Sequence, residues 1–99
     1  YMVIWSEPAR NDLKNIHEYI AQDSSFYAQQ VSISIIEKTE TLVDFPDIGR
    51  VVPEIDDSKM REVFVHSYRI IYEIDSENIV IHAIIHGKRD FNQAFDHKK

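Results

Sequence analysis

The 99-residue sequence has no cysteine, which excludes disulfides and thiolate metal sites and leaves the fold to stand on packing alone. Glycine is nearly as scarce. With Gly49 and Gly87 the two in the chain, a Gly-rich loop that cradles phosphates is excluded, which counts against nucleotide chemistry. No apolar run approaches the ~20 residues a membrane span needs, and the amino end lacks the basic-then-apolar order of a signal peptide. A cytoplasmic location with no membrane contact is expected. Neither HExxH nor a Cys/His metal spacing occurs, so no metal and no cofactor are expected. Positive charge is also short: 11 Lys/Arg against 17 Asp/Glu leave a net charge of −6. Affinity for a nucleic-acid backbone comes largely from counterions released by clustered cations, so such a chain is a poor non-specific partner for RNA or DNA.

The charge that is present is unevenly placed. Residues 1–60 hold five Lys/Arg against eleven Asp/Glu, while residues 61–99 hold six of each. From His86 to Lys99 the balance turns to +2, so any phosphate-facing surface belongs there. A chain of 99 residues makes one domain, 1–99, able to bury about 65% of the surface it exposes unfolded.

Met2-Val3-Ile4-Trp5 is a short apolar run ahead of Ser6-Glu7-Pro8, where a Ser cap and a first-turn Pro predict a helix start. Ala9, Leu13, Ile16 and Ile20 then recur at helical spacing through residues 7–22, with Arg10, Asp12, Lys14 and Glu18 off that stripe. After the break "QDSSFY", the apolar positions Ala28, Val31, Ile35 and Leu42, flanked by Ile36 and Val43, predict a second, longer helix. The short connection predicts an antiparallel helical hairpin. Phe45-Pro46 and Gly49 end it, and a loop is expected through Lys59. The period then changes. Residues 61–65, 68–74 and 78–86 are rich in β-branched and aromatic side chains with hairpin-sized gaps, which predicts three antiparallel strands. Tyr68, Ile70, Tyr72 and Ile74 share one face of the middle strand, and Arg69, Ile71 and Glu73 the other. The expected fold is α+β: a small two-layer domain of β-α-α-β-β-β order, its helical hairpin packed on an antiparallel sheet. Val3, Trp5, Leu13, Ile16, Val31, Ile35, Ile70 and Tyr72 are its expected core. Residues 91–99 read as a short helix, a docked tail or a flexible one.

Few residues carry chemistry. His82 and His86, four apart on a strand, would share a face yet lie ~13 Å apart, too far to chelate one ion, and His82 reads as a half-buried strand histidine. Asp56-Asp57 reads as a solvated turn. "AIIHGKRD" (83–90) is open to two readings: His86 with Lys88 and Arg89 as an acid/base and phosphate clamps, or the solvated end of a strand. Together with Arg61 and Arg69 these residues could converge on one concave surface. That set would suit RNA cleavage through the 2′-hydroxyl, which needs a base, an acid and cations for the charged phosphorane. Against it, Arg69 could pair with Glu73 or with the cross-strand Glu62.

Four blocks, "WSEPARNDLKNIHEYI" (5–20), "LVDFPDIGRVVPE" (42–54), "REVFVHSYRIIYEI" (61–74) and "IVIHAIIHGKRD" (79–90), resemble the RelE/ParE superfamily of bacterial and archaeal toxins. The resemblance spans nearly the whole chain, and it implies the compact β-α-α-β-β-β fold already predicted. It implies the toxin of a type II toxin–antitoxin pair, held in a hetero-oligomer by a small, partly disordered antitoxin. RelE-like members cut messenger RNA on the ribosome without a metal; for such an enzyme the matching residues here are Arg61, Arg69, His86 and Arg89. ParE-like members carry no established catalytic residues and poison DNA gyrase, for which His86, Lys88 and Arg89 are the expected target contact. The basic loop of the RNA-cutting branch is replaced here by "EIDDSK", no tyrosine follows Tyr72, and the first helix is ParE-like. Gyrase inhibition by protein–protein contact, as in plasmid stabilization systems, is therefore the expected activity, with ribosome-dependent cleavage and a non-toxic interaction module as alternatives. The antitoxin is expected on the amphipathic hairpin, with Leu13, Ile16, Ile20, Val31 and Ile35 lining a groove or forming core, and along an exposed sheet edge.

Overall fold

The computed structural model describes residues 1–87. Their order is β1 (Met2–Trp5), α1 (Glu7–Ala21), α2 (Ser25–Asp44), β2 (Arg50–Val51), β3 (Met60–Val65), β4 (Tyr68–Asp75) and β5 (Asn78–His86). Each helix starts where its cap predicts. The Ser6 hydroxyl accepts the Ala9 N–H at 3.2 Å, and the Ser24 hydroxyl accepts the Tyr27 N–H at 3.1 Å. α2 stops at Asp44 because Phe45, the residue before Pro46, leaves α geometry with ψ 69°.

The strands form one sheet in the order β1-β5-β4-β3-β2, with both helices on one face. β3, β4 and β5 are antiparallel, as their periodicity predicts, but β1 runs parallel to β5, so the sheet is mixed. The long connection from β1 to β5, which includes the helical hairpin, allows that parallel pairing. Part of the expected loop, Arg50-Val51, is a fifth strand, too short to announce itself by pattern, and it pairs with Arg61 and Glu62.

Two cores result from the alternation of the strands. On the helix side Val31, Ile35, Leu42, Ile70, Tyr72 and Ile81 are buried together, with Val3, Trp5, Leu13 and Ile16 half-buried around them. On the far side a smaller cluster of Ile71, Ala83 and Ile85 is covered by Val52 and Ile55 from the segment between β2 and β3 and by Met60 at the start of β3.

β5 departs from simple alternation at one point. Tyr72 faces Ile81 and Ile71 faces Ala83, leaving His82 as an extra residue, a β-bulge. Ile81 and Ile84 therefore both reach the helix-side core, and Ala83 and Ile85 the far one. His82 and His86 do not share a face, as unbroken alternation would have them do. His82 bonds Glu73 at 2.8 Å, whereas His86 stands opposite Tyr68.

Candidate functional site

The cations named from the sequence sit on different parts of this scaffold. Arg69 and Glu62 point away from the helices, like Ile71, and are buried. Arg69 donates Nε to Glu62 at 2.9 Å, and its two terminal nitrogens donate to the Glu54 carboxylate at 3.1 and 3.2 Å. A second bond joins it to Glu62, whose other oxygen accepts from Arg50 Nε. Arg50 in turn lies 5.5 Å over the Phe64 ring. Among the described residues, every buried side-chain polar atom has a partner. Two arginines and two glutamates thus form a network whose formal charges cancel. The bonds from Arg69 hold the Glu54 carboxyl below its ordinary range. Burial alone would lower the guanidinium pKa of Arg69, but its bonds to Glu54 and Glu62 outweigh this and raise it.

Arg61 lies elsewhere. It shares the strand phase of Val63 and pairs with Tyr72, near the β2 end of the sheet. Its Nε donates to the Ser58 carbonyl at 3.0 Å and Nη1 to the Gly49 carbonyl at 2.9 Å, so it straps two loops together. The Tyr72 hydroxyl completes that strap from inside, donating to the Pro46 carbonyl at 2.7 Å and accepting the Gly49 N–H at 3.0 Å. Gly49 is obligatory there, because an added Cβ would lie 2.6 Å from both the Glu62 carbonyl and the Tyr72 hydroxyl.

His86 occupies the opposite end of β4, four residues or ~13 Å from the Arg61–Tyr72 pair, and stands edge-on to Tyr68 with centroids 5.4 Å apart. The expected convergence of Arg61, Arg69 and His86 on one concave surface is therefore not what the structure holds. Arg69 is on the far face, and Arg61 and His86 are at opposite ends. The physical reason is strand alternation, which sends neighbouring strand residues to opposite faces, together with carboxylates that claim Arg69 first. Lys88 and Arg89, and the tail 91–99, lie outside the described residues.

The hydrophobic positions divide as well. Val31 and Ile35 are buried in the domain's own core. Leu13, Ile16 and Ile20 are half-buried at its rim. What the hairpin exposes is a different set: Tyr19 at 71%, Phe26 at 69%, Tyr27, Ile33 and Ile36. A second apolar surface runs beside the edge of β3, where Phe64 and Val65 with Ser34, Glu37 and Lys38 of α2 line a shallow groove. β2 pairs with residues 61 and 62 of β3 and stops short of Val63–Val65.

Sequence reasoning named the Arg69–Glu62 pair but missed Glu54 and Arg50. It also missed a cavity of about 440 Å³ between α1 and the ends of β4 and β5, where Asp12, Asn15 and Tyr19 face Tyr68 and His86. Its signal was present: a polar, aromatic stripe at positions 12, 15 and 19 alongside the apolar one. Among the described residues no group of three metal-capable side chains occurs, and no helix is long and apolar enough to cross a membrane.

Residues 3–91 match the family described as the ParE toxin of type II toxin–antitoxin system, parDE. A curated relative, Toxin RelE2 of Caulobacter vibrioides, is 31% identical over 88 residues, covering 88% of this chain and 96% of its own. Among solved structures, the chromosomal ParDE system of P. aeruginosa is similar with a TM-score of 0.71 at 18% identity, covering 86% of this chain and 94% of that one. The toxin–antitoxin complex RelBE2 of Mycobacterium tuberculosis gives 0.62 at 22%, covering 87% and 96%. At those identities the two structures bear on the fold alone.

Proposed function

This chain belongs to the ParE toxin family of type II toxin–antitoxin systems, and from that premise we propose that it inhibits DNA gyrase by protein–protein contact until a cognate antitoxin covers it. The observation that supports the reading is the ion-pair network around Glu62 and Arg69. RNA cleavage through the 2′-hydroxyl needs cations free to meet a phosphorane and a base beside them. Here Arg69 and Arg50 are neutralised by carboxylates, Arg61 is bound to backbone carbonyls, and His86 is at the far end of the sheet. The segment His86, Lys88 and Arg89 is the target contact in this reading, acting by charge and shape.

The antitoxin has two surfaces suited to it: the half-buried rim of α1 at Leu13, Ile16 and Ile20, and the edge of β3 beside Phe64, which among the described residues β2 leaves unpaired beyond Glu62. A disordered tail can order on both, as a helix in one case and as an added strand in the other.

The deciding assay sets the antitoxin-free chain against gyrase supercoiling and against messenger RNA on programmed ribosomes. Supercoiling is expected to fall while the message stays intact. Cleavage without gyrase inhibition overturns the proposal, and inertness in both assays marks a non-toxic interaction module. Within an active toxin, His86→Ala is expected to leave toxicity in place, and Lys88→Ala with Arg89→Ala to remove it without unfolding the domain. Loss from His86→Ala alone would point back to catalysis.

A further inference from the structure

The loop between α2 and β2 exposes two large apolar side chains on a backbone that is tied down nearly everywhere. Phe45 is 62% exposed and Ile48 56%. They are the first and last residues of a β-turn, with Pro46 in its second position and the Ile48 N–H donating to the Phe45 carbonyl at 3.1 Å, so their Cα atoms lie within about 7 Å of each other. The Phe45 N–H donates back to the Thr41 carbonyl of α2 at 3.1 Å. From inside, the Tyr72 hydroxyl holds Pro46 and Gly49, while Arg61 Nη1 donates to the Asp47 carbonyl at 3.4 Å as well as to that of Gly49. A buried tyrosine and an arginine thus fix a turn whose own apolar side chains stay more than half exposed.

Such a knob suits a partner that is itself folded. Ordering a loop at an interface costs binding free energy, and here the ordering is complete beforehand, so Phe45 and Ile48 can enter a preformed pocket as anchors. A disordered tail offers no such pocket. Charge around the knob defines the pocket's rim: Glu40 and Asp44, one turn apart on α2, are exposed, and among the described residues neither has an ion pair. They sit toward the carboxy-terminal end of α2, where the helix dipole is negative and the last turn holds no basic side chain. The Asp47 side chain is 83% exposed too, with Arg61 a distant 3.9 Å away. Ile48 and Phe64 line one shallow groove of about 230 Å³; of the two cations bordering it Arg50 is bound to Glu62, which leaves Lys38 against the three carboxylates. A basic rim is what this knob selects.

We propose that Phe45 and Ile48 are a contact for the toxin's target, seated in an apolar pocket of that protein rimmed by basic side chains. The choice of gyrase as that target rests on the reading proposed above, whereas the knob stands on its own geometry. It adds a second point of attachment to the one at His86, Lys88 and Arg89, because the Tyr72 that holds it and the Tyr68 opposite His86 lie at different ends of β4. It also gives the antitoxin a means of neutralisation. A strand laid on the β3 edge beside Phe64 crowds Ile48 across their shared groove and denies the knob its pocket.

The test combines Phe45→Ala with Ile48→Ala in the full chain, at positions more than half exposed. Urea unfolding should match the parent's, whereas the concentration that half-inhibits gyrase supercoiling should rise at least about tenfold. Inhibition equal to the parent's overturns the proposal, as does a loss no larger than the loss of folded protein. Tyr72→Phe keeps the ring and removes both loop bonds, so it should weaken inhibition by a smaller factor, about threefold, and speed amide exchange at Ile48 and Gly49. Glu40→Gln with Asp44→Asn should slow association with gyrase and flatten its salt dependence. An unchanged salt dependence overturns the basic rim. If the parent leaves gyrase untouched, the gyrase reading has failed and the double alanine variant is compared with the parent for growth arrest on induction: full arrest overturns the knob, and loss of arrest from a folded variant upholds it against a different target. A parent that arrests no growth overturns both.

Discussion

The two faces of the sheet are built from the same strands and solve burial in opposite ways. Toward the helices, Ile70 and Tyr72 of β4 meet Val31, Ile35 and Leu42 in an apolar core, with the Tyr72 hydroxyl tying it to the 46–49 loop. Away from them, Arg69 and Glu62 are buried almost as deeply beside Ile71, and that face is stable because each charge has an opposite one in contact. The first face draws its stability from area and shape, so it tolerates volume-conserving change. The second depends on complete pairing, because desolvating a charge costs more than losing a contact once its partner is gone.

That contrast can be broken on either side, and the largest effect is expected on the apolar one. Tyr72→Ala should destabilise the domain by about 4 kcal/mol, from the cavity it leaves and from the unpinned 46–49 loop, measured by urea unfolding. Glu62→Gln should follow at about 3 kcal/mol, since it removes the more deeply buried of the two carboxylates that meet Arg69, and Glu62→Gln with Arg69→Met should recover much of that loss. A double variant no better than the single one would show that the far face is held by packing after all. Gly49→Ala should cost about 2 kcal/mol, because the neighbours of its Cβ are a carbonyl and the Tyr72 ring, and Tyr72→Phe should relieve part of it.

The smallest effects come from pH, where the two faces answer at opposite limbs. Glu54 is held below its ordinary 4.5 by Arg69, so its contribution is present above pH 4.5 and is lost as pH falls through the folded-state value. Burial raises Tyr72 above its ordinary 10.0, so its contribution is present below pH 10 and is lost as pH rises through the folded-state value. Glu54→Gln should therefore flatten the acid limb of a melting-temperature profile and leave the alkaline limb unchanged, while Tyr72→Phe should do the reverse. Glu54 is about one-third exposed, so solvent limits its part to under about 1 kcal/mol.

How far the sequence could be read follows the same division. β3, β4 and β5 were legible because alternating β-branched residues state both the strand and its inward face. The helices were legible from caps and spacing. β2 was not, since two residues carry no period, and neither was the parallel partner of β1, since four apolar residues fit either direction. The Arg69–Glu62 pair was within reach because both lie on neighbouring strands, but Glu54 enters from a loop whose path no local pattern fixes. The supposed meeting of Arg61 with His86 failed on distance along one strand, a quantity that proximity in a motif does not report.

One residue of β5 has a further consequence. His82 has no partner opposite it on β4, so a homologue lacking it would close the ladder with Ile81 and Ala83 still on their present faces and His86 still across from Tyr68. Strand length and strand direction are thereby uncoupled at this position. An alignment that forbids gaps inside strands would slide everything after it by one place and equate His86 with a neighbour that points the other way. Within this family, which residue counts as equivalent to His86 turns on whether a bulge is inherited.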